Sequence, residues 1–170
     1  DVSCSVAIHN LVLHDDELKG FDANFKVTPP LRTKKDTKAL IKGLRDGTID
    51  MVTSDHNPID IEHKKVEFDN ALFGSIGLES AFGALCTIFD TEQAVKYLSK
   101  GKERFKLKDH EIKEGETAEL SLFIPDEIYS FKEKDIISTS KNSIFLNKEL
   151  KGKALGIITK KGILLRENIN

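Results

Sequence analysis

Residues 33–55, TKKDTKALIKGLRDGTIDMVTSD, decide the fold class because they predict a helix that leads directly into a buried strand. Thr33 is a candidate helix N-cap, and Gly47 can end the helix in a left-handed conformation. The apolar face of this helix would consist of Leu40, Ile41 and Leu44. Residues 49–53 then form the strand, which ends abruptly in polar residues.

Two strand-like stretches precede this unit. Residues 2–13 mix β-branched and small residues and predict a buried strand. Residues 25–28 predict a short strand that must end at Pro29 and Pro30, because proline cannot donate to a ladder. The order strand, strand, helix, strand is typical of parallel α/β architecture, and a four-stranded antiparallel arrangement fits it less well.

The character of the sequence changes after the helical region. The spacing of apolar residues predicts helices at residues 77–89 and 91–100. From about Lys106 the chain consists of short β-type runs separated by turns, at residues 119–126, 127–131, 142–146 and 153–165. We therefore predict an α/β part at residues 1–105 and an all-β part at residues 106–170.

The composition excludes several classes of partner. The 26 Lys and Arg residues against 28 Asp and Glu residues give a net charge of -2, which provides no attraction for nucleic acid or an anionic membrane. No apolar run approaches the roughly 18 residues that span a bilayer. Cys4 and Cys86 lack CxxC spacing and lie in apolar stretches, which predicts reduced core thiols in a cytoplasmic protein.

Polar residues follow the predicted strands where their carboxyl ends would converge on one face, the usual place for functional residues. His9, Thr28 and Asp55 each lie at such an end. A histidine there suits a zinc ligand, and an aspartate can ligate a metal or move a proton. Two alternatives stay open. His9 can be a core histidine with one satisfied hydrogen bond, and Asp55 can be an Asx-turn or N-cap acceptor before Asn57.

A further candidate lies before the helix predicted at residues 77–89. Phe73, Gly74 and Gly77 can form a loop that simply needs a permissive backbone. Alternatively, backbone amides in this loop bind an anionic ligand at the helix N-terminus.

Several stretches contain residue patterns that are specific in both their order and their spacing along the chain. Residues 21–32 read FDANFKVTPPLR, residues 46–58 read DGTIDMVTSDHNP, and residues 68–80 read FDNALFGSIGLES. These resemble the patterns NxKVNPPLR, DGTIDxIATDHAPH and PFGxxGLE of the dihydroorotase branch of the amidohydrolase superfamily. VSCSVAIHN at residues 2–10 resembles that family's barrel strand ending in Pro-His-His, and the sequence from Ile112 onward resembles its β-sandwich portion.

The resemblance implies the C-terminal part of a metal-dependent (β/α)8 TIM barrel followed by the C-terminal portion of a small β-sandwich domain. The chain would supply about the last three barrel strands, which cannot close a barrel. The missing N-terminal half would carry an HxH pair, an acidic or carboxylated-lysine ligand and another histidine. Either the chain is a fragment, or it associates with another polypeptide that supplies the missing N-terminal half. By itself we expect it to be inactive, with open strand edges that favour self-association.

The resemblance also implies roles for individual residues. His9 matches a zinc-ligating histidine, and Asp55 matches the aspartate that contacts the metal and shuttles a proton. The implied cofactor is one or two zinc ions, completed by ligands outside this chain, which would activate water for attack on a cyclic amide. Phe73 and Gly74 match positions whose backbone contacts the substrate ring.

Some residues depart from the family pattern. Thr28 stands where the family has a substrate-binding Asn, and Ile59 stands where it has a His that reaches the substrate carboxylate. Isoleucine cannot pair with an anion, and the loss of one such hydrogen bond costs about 1.5 to 3 kcal/mol, or roughly 10- to 150-fold in affinity. Asn10 also replaces the second His of the usual pair, and Ile8 replaces its proline.

Three functional hypotheses follow from the resemblance and these departures. In the first, the full-length protein is a dihydroorotase of pyrimidine biosynthesis that interconverts dihydroorotate, a small-molecule substrate, and carbamoyl-aspartate. In the second, it is a non-catalytic dihydroorotase-like scaffold, for instance for a transcarbamoylase partner. In the third, it hydrolyses a less anionic cyclic amide such as a hydantoin.

Overall fold

The computed structural model describes residues 2–107 and 112–166. The helices are α1 (Ile8–Val12), α2 (Lys34–Asp46), α3 (Ile61–Lys64), α4 (Ala81–Leu85), α5 (Thr91–Ser99) and α6 (Gly101–Arg104). The strands are β1 (Ser5–Ala7), β2 (Met51–Thr53), β3 (Leu120–Ser130), β4 (Glu149–Thr159) and β5 (Gly162–Leu165). Within the described ranges, no helix is long and apolar enough to cross a membrane.

The helix and strand predicted from residues 33–55 are confirmed. Thr33 and Asp36 form a reciprocal capping box at the start of α2, and Gly47 ends the helix with a φ of 82°. Strand β2 then pairs in parallel with β1, which lies on the other side of α2 in the chain. The predicted parallel α/β arrangement is therefore present.

Two strand predictions upstream are wrong. The strand predicted at residues 2–13 is limited to β1, because its partner β2 is only three residues long and the chain beyond Ala7 satisfies its backbone in α1 instead. The strand predicted at residues 25–28 is absent from the described part of the chain. A short 3-10 helix covers Ala23–Phe25, and the Asp22 side chain caps it by accepting a hydrogen bond from the Asn24 amide.

The C-terminal region forms an antiparallel sheet in the order β3-β4-β5. The runs predicted at residues 119–126 and 127–131 merge into the single strand β3, whose pairing with β4 shifts between Ile124 and Ile128. The strand predicted at residues 142–146 is wrong. Ile144 and Phe145 are buried as strand residues would be, but the Asn142 carbonyl and the Ile144 amide bond to the loop at residues 75–76, and the other backbone hydrogen bonds here are local turns.

The two regions share a hydrophobic core. Helix α4 packs against β4, and the buried cluster joins Leu85 and Phe89 to Phe131 and Phe145. The division at residues 105 and 106 stays a prediction, and residues 108–111 beside it lie outside the described residues.

The helices before that division follow the prediction in part. Helix α5 confirms the helix predicted from Thr91, and the Asp90 side chain caps it by accepting a hydrogen bond from the Gln93 amide at 2.8 Å. The helix predicted at residues 77–89 is reduced to α4, and Leu78, one of the apolar residues within the predicted range, is 63% exposed. Residues before α4 instead form a turn that contacts the loop after β2.

Candidate functional site

His9 and Asp55 come together because of the strand register. Ala7 of β1 is paired with Thr53 of β2, and each candidate residue lies two positions beyond the end of its strand. Parallel strands place equivalent positions side by side. The His9 Nε2 and Asp55 Oδ2 atoms are accordingly 3.9 Å apart. We call this pair the metal corner.

The His9 imidazole is buried and has a free acceptor position. Within residues 2–107 and 112–166, no protein group forms a hydrogen bond with its Nε2 atom. Burial lowers the pKa of His9 below its usual 6.5, against the opposing effects of the Asp55 charge and a hydrogen bond to the Pro29 backbone. A neutral imidazole with an unpaired nitrogen beside a carboxylate is the form that ligates zinc.

Asp55 is held in an unusual backbone conformation. Its φ is 47°, in the left-handed region that aspartate tolerates better than most residues, and its amide donates to Thr53 Oγ1 at 3.2 Å. The Asx-turn alternative would use its carboxylate as an acceptor for the Asn57 amide, which instead donates to the Ser75 carbonyl at 2.8 Å. The Asp55 side chain, 39% exposed, thus remains open to a ligand.

The metal corner is incomplete as a binding site. No group of three or more His, Cys, Asp or Glu side chains with metal-site spacing occurs in the part of the chain that the structure describes. A four-coordinate zinc site needs more ligands than the two at this corner. The donor set fits a metal only if other ligands are added from outside these residues.

A second cluster contains three of the four predicted substrate residues, and we call it the substrate corner. Gly74 has a φ of 145°, and a Cβ atom there would lie 2.6 Å from Asn57 Nδ2 and 3.0 Å from Ile59 Cγ1. The Asn57 Nδ2 group also donates to the Phe73 carbonyl at 3.2 Å. Ile59, Phe73 and Gly74 therefore lie together, and only a glycine fits at residue 74.

Thr28 occupies a different place from the other predicted substrate residues. It is exposed and precedes Pro29, whose backbone accepts the hydrogen bond from His9. The expectation that it lies at a strand end is wrong, since no strand covers residues 25–28 within the described ranges. Thr28 is thus linked to the metal corner through its neighbour Pro29 and not to the substrate corner.

Lys26 supports the substrate corner, and the sequence reasoning missed it. Its Nζ atom donates to the carbonyls of Phe68 and Asp69, each at 2.8 Å, and lies 4.9 Å from the centre of the Phe73 ring. Its own carbonyl accepts a hydrogen bond from the Gly74 amide at 2.9 Å. The sequence signal for a role of Lys26 was its position two residues before Thr28, within residues 21–32.

His56 links the loop after β2 to the turn before α4. Its Nδ1 atom accepts hydrogen bonds from the amides of Gly77 and Leu78, both at 3.3 Å. A Cβ atom at Gly77 would collide with the Ser54 carbonyl, so the close approach requires a glycine. The turn before α4 therefore uses its amides to hold a side chain of this protein.

Comparisons with known proteins identify relatives over almost the whole chain. No protein-family model matches it. A dihydroorotase of Caldicellulosiruptor saccharolyticus is 37% identical over 99% of this chain and 41% of its own length. The chain spans about two fifths of the length of the curated relatives it matches.

Solved structures share the fold. The L-hydantoinase (dihydropyrimidinase) of Arthrobacter aurescens superposes with a TM-score of 0.84 at 20% identity, over 97% of this chain and 39% of that one. An inactive dihydroorotase-like domain of a CAD-like multifunctional protein from Chaetomium thermophilum gives a TM-score of 0.64 at 21% identity, over 95% of this chain and 43% of that one. These matches confirm the predicted fold class, part of a TIM barrel with a β-sandwich portion.

Proposed function

Because the chain belongs to the dihydroorotase family of amidohydrolases, we propose that the complete protein is a metal-dependent hydrolase of a cyclic amide. The proposed reaction is the interconversion of dihydroorotate and carbamoyl-aspartate in pyrimidine biosynthesis. The observation that carries the proposal is the metal corner, where a neutral buried imidazole has its unpaired Nε2 atom 3.9 Å from a carboxylate oxygen.

His9 and Asp55 would hold the metal on the side of this chain. We propose zinc, one or two ions, because imidazole nitrogen and carboxylate oxygen are among its common ligands. Zinc, when bound, supplies Lewis acidity to a carbonyl and to water.

Asp55 is the residue proposed to move the proton. Its carboxylate is partly exposed beside the buried imidazole, so it can accept a proton from the attacking water and remain accessible to the ring. It would then deliver that proton to the leaving ring nitrogen. His9, buried and held by the Pro29 backbone, contributes a fixed orientation instead of a proton.

Ile59 and Thr28 favour a second candidate, a non-catalytic dihydroorotase-like scaffold. Neither residue is the substrate-binding residue that the family pattern has at its position, and Ile59 offers no group for the substrate carboxylate. The inactive dihydroorotase-like domain among the structural relatives belongs to a multifunctional protein, which gives this candidate a precedent. A transcarbamoylase would then be the partner of the complete protein.

Ile59 equally suits a ring with less negative charge, such as a hydantoin. An isoleucine side chain at this position removes a charge-assisted hydrogen bond without adding a competing charge. The three candidates therefore differ in whether the metal-loaded protein opens dihydroorotate, hydantoin or neither ring.

The test is a comparison of ring opening by the zinc-loaded complete protein. We expect turnover of dihydroorotate that exceeds turnover of hydantoin and that is lost on removal of the metal. Turnover of hydantoin alone would favour the third candidate. A folded, zinc-loaded protein that opens neither ring would favour the scaffold.

Three further proposals concern the activity, the self-association and the cellular location of this chain. We expect no turnover from these 170 residues by themselves, because their metal corner offers two ligands and a four-coordinate zinc site needs more. Its open strand edges favour self-association, which size-exclusion chromatography measures. Cys4 and Cys86 are both free thiols, which supports a reducing cytoplasmic location. Cys86 is buried as predicted, whereas the prediction that Cys4 lies in the core is wrong because its side chain is exposed.

A further inference from the structure

Asn142 lies in the C-terminal region but contacts the substrate corner. It belongs to residues 142–146, which pack into the core without forming a strand. Its side chain is buried, with an exposed fraction of 6% for the residue. A buried amide is costly unless its donors and acceptor are paired, so the partners of this side chain indicate its role.

Those partners belong to the two loops that form the substrate corner. The Asn142 Oδ1 atom accepts a hydrogen bond from the Ile59 amide at 3.2 Å. The Nδ2 group donates to the carbonyl of Asn57 at 3.2 Å and to that of Gly74 at 3.3 Å. One side chain therefore fixes the backbone of both loops.

The backbone around Asn142 forms further hydrogen bonds with the loop that contains Gly74. Its carbonyl accepts a hydrogen bond from the Ile76 amide at 3.0 Å, and the Ile144 amide donates to Ser75 Oγ at 2.8 Å. The loop at residues 74–76 is thus held at successive positions. The attachment reaches neither His9 nor Asp55 directly.

We propose that Asn142 is a positioning residue that sets the distance between the Ile59 loop and the Phe73-Gly74 loop, and so fixes the width of the opening that receives the substrate ring. This role rests on the proposed function, because it assumes that these loops contact a ring. An asparagine suits the task because it supplies one acceptor and two donors from a single amide. The C-terminal region would thereby determine substrate affinity, although it contributes no group to the metal corner.

Two variants of the complete, zinc-loaded protein separate the contacts. Asn142→Ala removes all three side-chain hydrogen bonds, whereas Asn142→Asp keeps an acceptor for the Ile59 amide and loses both donors. Asn24→Ala is the matched control, because the recorded hydrogen bond of Asn24 comes from its backbone amide. Amide exchange at Ile59 should accelerate in Asn142→Ala and stay at the wild-type rate in Asn142→Asp.

The kinetic result distinguishes positioning from general support of the fold. We expect Asn142→Ala to raise KM for dihydroorotate about ten-fold while kcat and zinc content stay near wild type. Asn142→Asp should raise KM at least as much, because its buried carboxylate would face the carbonyl oxygens of Asn57 and Gly74, and Asn24→Ala should not raise it. If Asn142→Ala does not fold, the increase in KM of Asn142→Asp at unchanged zinc content decides the question.

Three results would overturn the proposal or the function beneath it. An unchanged KM in both folded variants, with an active wild type, would refute the role of Asn142 and leave the proposed function standing. Loss of zinc together with kcat would show that Asn142 only supports the fold. A wild-type protein that opens no ring would refute the proposed function first and the positioning role with it.

Discussion

The metal corner and the substrate corner lie close together but are built in different ways. His9 and Asp55 are placed by one strand register, at the same offset beyond paired residues. Ile59, Phe73 and Gly74 are placed by loops, which are held by Lys26 and by Asn142 from the opposite end of the chain. A register tolerates little change, whereas loops accept substitution more readily.

The departures from the family pattern lie in or beside both corners. We propose that His9 and Asp55 keep the metal-side chemistry of the family. Asn10 and Ile8 beside His9 depart from its pattern, as do Ile59 in the substrate corner and Thr28 beside Pro29. Under this proposal, water activation is retained while recognition of the ring changes, and variants in each corner test the two properties separately.

Removing the carboxylate should inactivate the metal corner. In the complete protein we expect Asp55→Asn to lower kcat about 10²- to 10⁴-fold, because a positioned acid–base group contributes that much. KM should change little, since the substrate corner is untouched. Stopped assays with zinc quantified in each preparation measure this, and Asp60→Asn, a change in an exposed residue of the same loop, is the control. Retention of wild-type kcat by Asp55→Asn would remove Asp55 from the mechanism.

A histidine at residue 59 should improve recognition of dihydroorotate by the substrate corner. We expect Ile59→His to increase kcat/KM for dihydroorotate about 10- to 150-fold, the reverse of losing one charge-assisted hydrogen bond, without a similar gain for hydantoin. Ile61→His serves as the control because Ile61 is 61% exposed. Equal gains on both rings, or none, would show that residue 59 does not face the substrate carboxylate.

Removing the Lys26 ammonium should loosen the substrate corner. Lys26→Met deletes two hydrogen bonds to carbonyls and the contact with the Phe73 ring, so we expect KM to rise about five- to ten-fold. Lys38→Met, in the exposed part of α2, is the matched control. Steady-state kinetics of the two variants at equal zinc content make the comparison. An effect on kcat alone would contradict a role in ring binding.

The smallest expected effect is on the pH dependence of stability and comes from Lys64, whose ammonium donates to the Lys26 carbonyl. The Lys64 ammonium is buried and donates to the carbonyls of Ala23 and Lys26, and burial lowers its pKa from 10.5 to about 8. The unfolded chain therefore binds more protons between these values, so the penalty that Lys64 imposes on folding is full below pH 8 and fades as pH rises toward 10.5.

Urea denaturation at about pH 7 and about pH 10 tests this effect. Relative to Lys64→Met, the wild type should gain free energy of unfolding at the higher pH. Lys65→Met changes an exposed neighbour and should keep the wild-type pH dependence. A difference between wild type and Lys64→Met that does not vary with pH would contradict the lowered pKa.

The sequence predicts the proximity of His9 and Asp55 better than the contacts of Asn142, for physical reasons. His9 and Asp55 follow short apolar stretches, and the parallel order of those stretches is enough to bring them together. Asn142 is different, because its contact with Asn57 joins residues 85 positions apart and satisfies a loop, which leaves no local pattern. Its neighbours Ile144 and Phe145 are buried like strand residues, which is why residues 142–146 resemble a strand in sequence.

A zinc-bound crystal structure of the complete protein, with the metal located by anomalous scattering, tests the metal corner most directly. We predict a zinc peak about 2.0 to 2.1 Å from His9 Nε2, with an Asp55 carboxylate oxygen in contact with the ion. A fully occupied zinc site elsewhere, with His9 Nε2 hydrogen-bonded to another protein group, would contradict this assignment.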